Sequence, residues 1–415
     1  MLKSKAFLVA IEYANESEAW TSADSLNELK ELALTAKLEV VGSMIQKKDH
    51  PDEKYYLGIG KLTELQTIIK ENQIEVLITD DELLPSQEKN LEKFLEIKVI
   101  DRTALILDIF AARAHTHEAQ LQVELAQLNY LMPRLTRMWT HLSRLGGGIG
   151  TRGPGEKQLE VDKRRINERI THLKKELKKV TQSRKLHRDR RQDLPILTVC
   201  LVGYTNAGKS TLMNQLTKAD VLVEDKLFAT LDPTTRRLAL PNNDTILITD
   251  TVGFIKKLPH QLVNAFHSTL EEVFFSDLLL HVVDVSHPKF PAFIETANNI
   301  MEELKVAGKS TILVLNKVDR VDYKTIEPLI KQNDDYIFIS ALKDISIDEL
   351  LRRIMLKLKR FYSIFDYKIS YNKQAVLDLL YKHSRIISLD YKEDFIQAKV
   401  EIHRILGEKI MGQLL

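Results

Sequence analysis

One segment of this chain has the spacing of a polyphosphate-binding loop, G-x-x-x-x-G-K-S-T. Its residues are Gly203, Tyr204, Thr205, Asn206, Ala207, Gly208, Lys209, Ser210 and Thr211. An apolar run at 196–202 predicts a buried strand before it, and 211–216 begin a predicted helix. In that setting, backbone N–H groups and the helix N-terminus converge on phosphate oxygens. Lys209 would reach the outer phosphates and the Ser210 hydroxyl would bind Mg²⁺.

Two later segments could recognise a base. Asp319 ends an N-K-x-D motif after the apolar run 311–315, and its carboxylate can accept hydrogen bonds from N1–H and the exocyclic amine of guanine. Adenine offers no such donor pair, so the pattern predicts GTP as substrate and GDP as ligand. Asn316 would bridge the guanine edge and the loop, and 340–342 would support the base. The candidate residues are Asn316, Lys317, Val318, Asp319, Ser340, Ala341 and Leu342.

A fourth motif, D-x-x-G, follows the apolar run 245–249 and comprises Asp250, Thr251, Val252 and Gly253. Asp250 would hold Mg²⁺ through water, and the Gly253 N–H would sense the γ-phosphate. All four motifs follow predicted strands, and ligands of open α/β sheets bind at the carboxyl ends of the strands. Residues 195–360 therefore resemble a translation-factor-class GTPase domain, a mostly parallel sheet with helices on both faces.

Composition restricts the class of protein. The chain has 415 residues, enough for about three domains, and one cysteine, Cys200. A disulfide within the chain is excluded, which fits a reducing compartment. No apolar run, including that at the N-terminus, reaches membrane-spanning length. We expect a cytoplasmic protein without a membrane span, monomeric when free.

Charge is unevenly distributed along the chain. Residues 134–191 hold 18 Lys and Arg against 6 Asp and Glu, a local excess of +12. The whole chain carries +2, so the remaining residues sum to −10. Such a block favours a phosphate-rich partner. The alternative is a solvated helical face, the usual role of a charge run.

Residues 116–192 are predicted to form an antiparallel helical hairpin. Each of two helical stretches carries apolar residues at alternating spacings of four and three, which form an apolar seam along one face of the helix. Pro133 should kink the first helix. Lys163 occupies one seam position of the second. The seam residues are Leu121, Leu125, Leu128, Met132, Leu135, Trp139 and Leu142 in the first helix, and Leu159, Ile166, Ile170, Leu173, Leu177 and Val180 in the second.

A glycine-rich segment at 145–156 would form the tip of this hairpin. Six of its twelve residues are glycine, which lets the backbone approach a partner closely. Arg144, Arg152 and Lys157 add positive charge. We interpret the segment as a tip that probes nucleic acid; the alternative is a flexible connector.

The two ends of the chain predict small α/β domains. In 1–115, strands at 7–11, 39–44, 74–79 and 98–100 alternate with helices at 25–36, 61–72 and 86–96, which implies a small parallel sheet. After the GTPase-like region 195–362, residues 363–415 predict a helix at 373–383 and strands at 385–391 and 395–400. Neither end shows a catalytic constellation.

Taken together, these segments are similar to the HflX GTPases. The matching segments are G-G-G-I-G-T-R-G-P-G-E-K-Q-L-E at 146–160, F-A-T-L-D-P-T at 228–234, D-T-V-G-F-I at 250–255 and Y-L-G-I-G-K at 56–61. The resemblance spans residues 1–360. It implies a cytoplasmic GTPase that binds the large ribosomal subunit and splits stalled or idle ribosomes, often under stress. It also implies that the tip probes ribosomal RNA near the peptidyl-transferase centre.

The resemblance assigns roles within the GTPase region. It places a switch segment at Phe228, Ala229, Thr230, Leu231 and Asp232. Thr230 would close over Mg²⁺ and the γ-phosphate, so the metal candidates are Ser210, Thr230 and Asp250. The catalytic candidates are Lys209, Thr230, Gly253 and Asn206. In several GTPases that also lack a water-positioning glutamine after D-x-x-G, an asparagine at the position of Asn206 helps to bind K⁺ beside the phosphates; the alternative is that Asn206 only shapes the loop.

One position departs from many GTPases. Where a glutamine would position the attacking water after D-x-x-G, this chain has Phe254, which can neither donate nor accept a hydrogen bond through its side chain. Intrinsic turnover should therefore be slow and a partner should accelerate it. Two alternatives stay open: a GTPase of ribosome assembly or RNA modification, and an RNA-binding module that uses GTP only as a conformational latch.

Overall fold

The computed structural model describes most of the chain. The described residues are 4–14, 20–138, 154–191, 196–218, 227–228, 230–242, 244–257, 272–322 and 335–414. Side chains are described for these residues except at 136–138, 154–159 and 183–191. They form three β-sheets with flanking helices.

The N-terminal sheet confirms the predicted α/β alternation. Its four strands are parallel and lie in the order β2-β1-β3-β4. Helix α1 begins with a capping box between Thr21 and Asp24, which satisfies free N–H groups of its first turn. Helix α4 was not predicted. The elements are β1 (Lys5–Glu12), α1 (Ser22–Thr35), β2 (Glu39–Lys47), α2 (Ile59–Asn72), β3 (Val76–Thr79), α3 (Pro85–Leu95), β4 (Lys98–Asp101) and α4 (Arg102–Arg113).

The hairpin helices are α5 (His117–Met138) and α6 (Pro154–Arg191). Helix α5 continues through Pro133. The helices pack through the predicted seam, which contains Leu121, Leu125, Leu128, Met132, Ile166, Ile170, Leu173 and Leu177. Glu124 of α5 binds Arg169 of α6 through two contacts of 2.6 and 2.7 Å. These two residues lie about equally far along the chain from residue 146, as antiparallel helices require. Trp139, Leu142 and most of the predicted tip lie outside the described residues.

The central sheet has six strands in the order β10-β9-β8-β5-β7-β6. Only β6 runs antiparallel to its neighbour, which confirms the mostly parallel sheet. Apolar side chains fill the strands because helices cover both faces. The elements are β5 (Thr198–Val202), α7 (Lys209–Thr217), β6 (Thr234–Ala239), β7 (Thr245–Asp250), β8 (Leu278–Asp284), α8 (Phe290–Glu303), β9 (Thr311–Asn316), β10 (Tyr336–Phe338) and α9 (Ile347–Leu358).

The C-terminal sheet is antiparallel, in the order β11-β13-β12. Two helices cover one face and bury Tyr367, Ala398 and Val400. The predicted helix and two strands are present, whereas β11 and α11 were not predicted. The elements are β11 (Tyr362–Ser370), α10 (Gln374–His383), β12 (Ser384–Tyr391), β13 (Phe395–His403) and α11 (Arg404–Leu414).

The N-terminal and central sheets share one hydrophobic core. Phe110 of α4 meets Phe228 edge-on with ring centroids 4.6 Å apart. The ring centroids of Trp20 and Phe293 of α8 lie 5.5 Å apart. Contacts of this kind between two parts of the chain bring the N-terminal sheet against the motif-bearing edge of the central sheet. None of the helices in the described part is both long and apolar enough to cross a membrane.

Candidate functional site

A cavity of about 230 Å³ lies at the carboxyl ends of β5, β7 and β9. The structure brings residues of all four predicted motifs to its wall, together with Arg320, which the sequence did not single out. The predicted residues in the lining are Thr205, Asn206, Gly208, Lys209, Ser210, Thr211, Phe228, Thr230, Thr251, Gly253, Asn316, Lys317, Asp319, Ser340, Ala341 and Leu342.

Two glycines of the phosphate loop are required by its shape. Gly203 has a φ of 143° and Gly208 a φ of 91°, values that L side chains rarely adopt. A Cβ atom on Gly203 would lie 2.1 Å from the Val282 carbonyl oxygen. On Gly208 it would lie 2.3 Å from Nδ2 of Asn316. The loop therefore packs directly against β8 and the base-recognition segment.

Lys209 is buried at the start of α7. Its Nζ donates hydrogen bonds to the carbonyl oxygens of Gly203 at 3.0 Å and Tyr204 at 2.8 Å. Burial lowers the Lys209 pKa to about 8, although Asp250 acts in the opposite direction. The ammonium is thus held within the loop, where polyphosphate oxygens would be stronger acceptors than carbonyls.

GTP affinity is expected to fall as the pH rises above 8, because the Lys209 pKa lies near 8 in this conformation. Phosphate contact would raise that pKa, so binding at higher pH requires proton uptake. The Kd for GTP should rise roughly tenfold between pH 7 and pH 9 in a fluorescent-nucleotide titration. The Lys209→Arg variant is the control, since its guanidinium does not titrate in this range. A flat profile for the parent protein would contradict the prediction.

The three predicted magnesium ligands lie within hydrogen-bond distance of one another. Ser210 Oγ donates to Asp250 Oδ2 at 2.7 Å and lies 2.9 Å from Thr230 Oγ1. Thr230 Oγ1 donates to the same carboxylate oxygen at 3.2 Å. Asp250 Oδ1 is buried and has no hydrogen-bond partner among the described residues. Burial raises the pKa of Asp250, which a cation beside it would reverse. These oxygen donors fit Mg²⁺.

The base-recognition residues are held by their own hydrogen bonds. Asn316 donates from Nδ2 to the Ala207 carbonyl at 2.9 Å and accepts at Oδ1 from the Ala341 N–H at 3.0 Å. It therefore joins the phosphate loop to the 340–342 segment. Asp319 accepts at Oδ1 from the Ser340 hydroxyl at 2.6 Å. That bond orients the carboxylate at the wall of the cavity.

Some of the predicted site residues do not line the cavity themselves. Tyr204 stacks on Phe293 with ring centroids 4.2 Å apart, and Leu231 is buried in the shared core. The Asp232 carboxylate binds the start of α5 rather than the cavity. Ala229 lies outside the described residues. The predicted residues absent from the lining are Gly203, Tyr204, Ala207, Leu231, Asp232, Asp250, Val252 and Val318.

Phe254, the residue in place of glutamine, is part of the buried core. Its N–H donates to the Gly203 carbonyl at 3.0 Å, and its carbonyl accepts from the Thr205 N–H at 2.8 Å. These bonds hold Gly253 against the phosphate loop. A Cβ atom added to Gly253 would lie 3.0 Å from Lys209 Nζ. The backbone of Gly253 is thus close to the outer end of the cavity, while Phe254 is turned away from it.

The mostly parallel sheet, its phosphate loop and the D-x-x-G and N-K-x-D turns at one edge define a P-loop GTPase. Three family models match: "GTP-binding GTPase N-terminal" over 23–111, "GTP-binding GTPase Middle Region" over 113–191 and "50S ribosome-binding GTPase" over 198–317. The GTPase HflX of Caldanaerobacter subterraneus is 47% identical over 98% of this chain and 93% of its own. That of Escherichia coli K12 is 43% identical over 84% and 82%.

The chain belongs to the HflX family of GTPases. It binds guanine nucleotides and hydrolyses GTP to GDP and phosphate. A GTP-binding protein of Sulfolobus solfataricus, solved with GDP, is 28% identical and covers 86% of this chain and 99% of its own, with a TM-score of 0.45.

Proposed function

We propose that this HflX GTPase acts in the cytoplasm, as a monomer when free, and splits stalled or idle ribosomes under stress. It would bind the large ribosomal subunit and its RNA through the α5–α6 hairpin. The observation that carries the proposal is the way the hairpin buries its leucine seam while α6 exposes Lys174, Lys175, Lys178 and Lys179. A long helix with exposed lysines on a basic segment provides the electrostatic attraction that RNA backbones require. The name of the matched family model, a 50S ribosome-binding GTPase, supports the same partner.

The residues of the cavity account for GTP hydrolysis in this proposal. Ser210, Thr230 and Asp250 would hold Mg²⁺, which neutralises phosphate charge when bound. Lys209 would move from the loop carbonyls to the outer phosphates, and the Gly253 N–H would contact the γ-phosphate. The Phe254 side chain is buried and carries no polar group, so hydrolysis by the free protein would be slow. We propose that binding to the ribosome accelerates it by completing the positioning of water.

Sedimentation of intact ribosomes with the protein tests the proposed function. With GTP or a non-hydrolysable analogue, the ribosome peak should decrease and free subunits should increase, whereas GDP should leave the profile unchanged. Phosphate release measured with and without ribosomes separates an enzyme from a nucleotide latch. Intact ribosomes under all three nucleotides would contradict splitting and favour a role in ribosome assembly or RNA modification.

Potassium is expected to accelerate hydrolysis through Asn206. This residue lines the cavity, is exposed and adopts a φ of 60° at the turn of the phosphate loop. The phosphate loop contains no arginine, so a cation held at Asn206 would supply additional positive charge beside the phosphates. GTPase rates in KCl should exceed those in NaCl at matched ionic strength, and Asn206→Ser should remove the difference. Equal rates of the parent protein in the two salts would show that Asn206 only shapes the loop.

A further inference from the structure

The switch residue Asp232 binds the helical hairpin. Its carboxylate accepts hydrogen bonds from the backbone N–H groups of His115 at 3.1 Å and Thr116 at 3.2 Å, and from the Thr116 hydroxyl at 2.5 Å. The same hydroxyl accepts from the Ala119 N–H at 3.2 Å, so Thr116 caps helix α5. An anion at a helix N-terminus is stabilised by the unpaired N–H groups and the helix dipole. The switch segment is therefore joined to the first helix of the hairpin.

The chain on the N-terminal side of Asp232 leads directly to the proposed magnesium ligands. Thr230, two residues earlier, lies 2.9 Å from Ser210 Oγ and 3.2 Å from the Asp250 carboxylate. Two residues of extended chain span at most about 7 Å. Leu231 between them is buried in the shared core. Only one residue, itself buried, therefore separates the Thr230 hydroxyl site from the Asp232 contact with α5.

Helix α5 is fixed to the N-terminal sheet at its other end. The buried Arg134 guanidinium contacts Glu88 at 2.9 Å and Asp101 at 3.0 Å, and donates to the Leu83 carbonyl at 2.9 Å. Its guanidinium also lies 3.4 Å from the ring centroid of Tyr130. With the leucine seam joining α5 to α6, the hairpin and the N-terminal sheet form one body. Movement at the start of α5 would tilt this body against the core that it shares with the central sheet.

We propose that Asp232 is a positioning residue that couples the γ-phosphate end of the nucleotide site to the orientation of the hairpin. Ordering of Thr230 over bound GTP would place Asp232 against the start of α5, and loss of the γ-phosphate would release it. The inference rests on the proposed function only for the identity of the hairpin's partner. Because coupling is reciprocal, engagement of the hairpin would in turn favour the GTP-bound arrangement of the switch.

The coupling is measurable without any ribosome. Spin labels on cysteines introduced at Arg164 of α6, which lies farther along the hairpin from the start of α5, and at Glu303 of α8, both exposed, report the distance between the hairpin and the central domain. The single native cysteine is buried and should stay unlabelled. The distance should differ by about 3–5 Å between GDP and a non-hydrolysable GTP analogue with Mg²⁺, because a rotation of roughly 10° is amplified along a helix rising about 1.5 Å per residue. In Asp232→Ala, saturated with each nucleotide, the difference should disappear.

Two sets of variants make the result specific. Lys289→Met removes a different contact between the same two bodies, the 3.2 Å ion pair with Asp24, and should keep the parental shift. Thr116→Ser should also keep it, whereas Thr116→Val, which loses the hydroxyl, should reduce it and tests the link if Asp232→Ala does not fold. A full parental shift in Asp232→Ala or in Thr116→Val, or no shift in the parent, would overturn the proposal. Failure to split ribosomes with the shift intact would instead count against the proposed function alone.

Discussion

An Asp319→Asn variant is expected to bind GTP at least roughly 100-fold more weakly than the parent and to prefer XTP, because a site built to hydrogen-bond a group strongly rejects a mismatched partner. The Asp319 carboxylate is oriented at the cavity wall by the 2.6 Å bond from Ser340. It would accept from both N1–H and the exocyclic amine of guanine. The amide of asparagine places a donor against one of these donors, whereas xanthine offers a carbonyl oxygen at that position.

Competition titrations with fluorescent GTP and XTP measure this exchange of specificity. Asp322→Asn makes the same chemical change at an exposed carboxylate nearby and serves as the matched control. The control should keep parental affinity for GTP. Equal GTP affinity of Asp319→Asn and the parent would show that this carboxylate does not face the base, and would remove the main support for guanine specificity.

Most of the nucleotide site could be predicted from local sequence. The loop G-x-x-x-x-G-K-S fixes its own backbone geometry through two glycines of positive φ, and each other motif directly follows a buried strand. Parallel strands bring their carboxyl ends to one edge, so Ser210, Asp250 and Asp319 are all expected at that edge of the sheet. Thr230 was placed by family resemblance alone, and the structure brings its hydroxyl to the same point.

What could not be predicted depends on contacts between distant parts of the chain. The Tyr204 hydroxyl donates to Glu28 of α1 and accepts from the Lys256 N–H at 2.8 Å. Arg102, fully buried, contacts Glu28 at 2.6 Å. No local pattern reveals such pairings, because the partners are separated by many residues and meet only when the two sheets pack together. For the same reason, the motif around Asp232 predicts a place in the nucleotide site and does not reveal the contact of Asp232 with α5.

Deleting residues 146–155 and inserting a short neutral linker is expected to abolish ribosome splitting while GTP binding stays at the parental level. The deletion removes residues between α5 and α6 together with the first two residues of α6, and it is remote along the chain from every residue that lines the nucleotide cavity. The leucine seam below it, centred on the fully buried Leu173, should keep the two helices paired. Sedimentation profiles with GTP and a nucleotide titration measure the two properties separately. Unchanged splitting would make the glycine-rich segment a mere connector.

Charge reversal on α6 separates the contribution of the helices to RNA binding from that of the glycine-rich tip. The residues to be reversed are Lys174, Lys175, Lys178 and Lys179. If these exposed lysines contact RNA phosphates, the slope of log affinity against log salt should decrease by roughly one for each contact removed, because fewer counterions are released on binding. The matched control reverses four exposed lysines of the N-terminal α/β unit, Lys30, Lys54, Lys70 and Lys93. Both proteins have the same net charge, so only a local contact predicts different slopes. Equal slopes for the two variants would reduce the role of α6 to general electrostatic attraction and leave recognition to the tip.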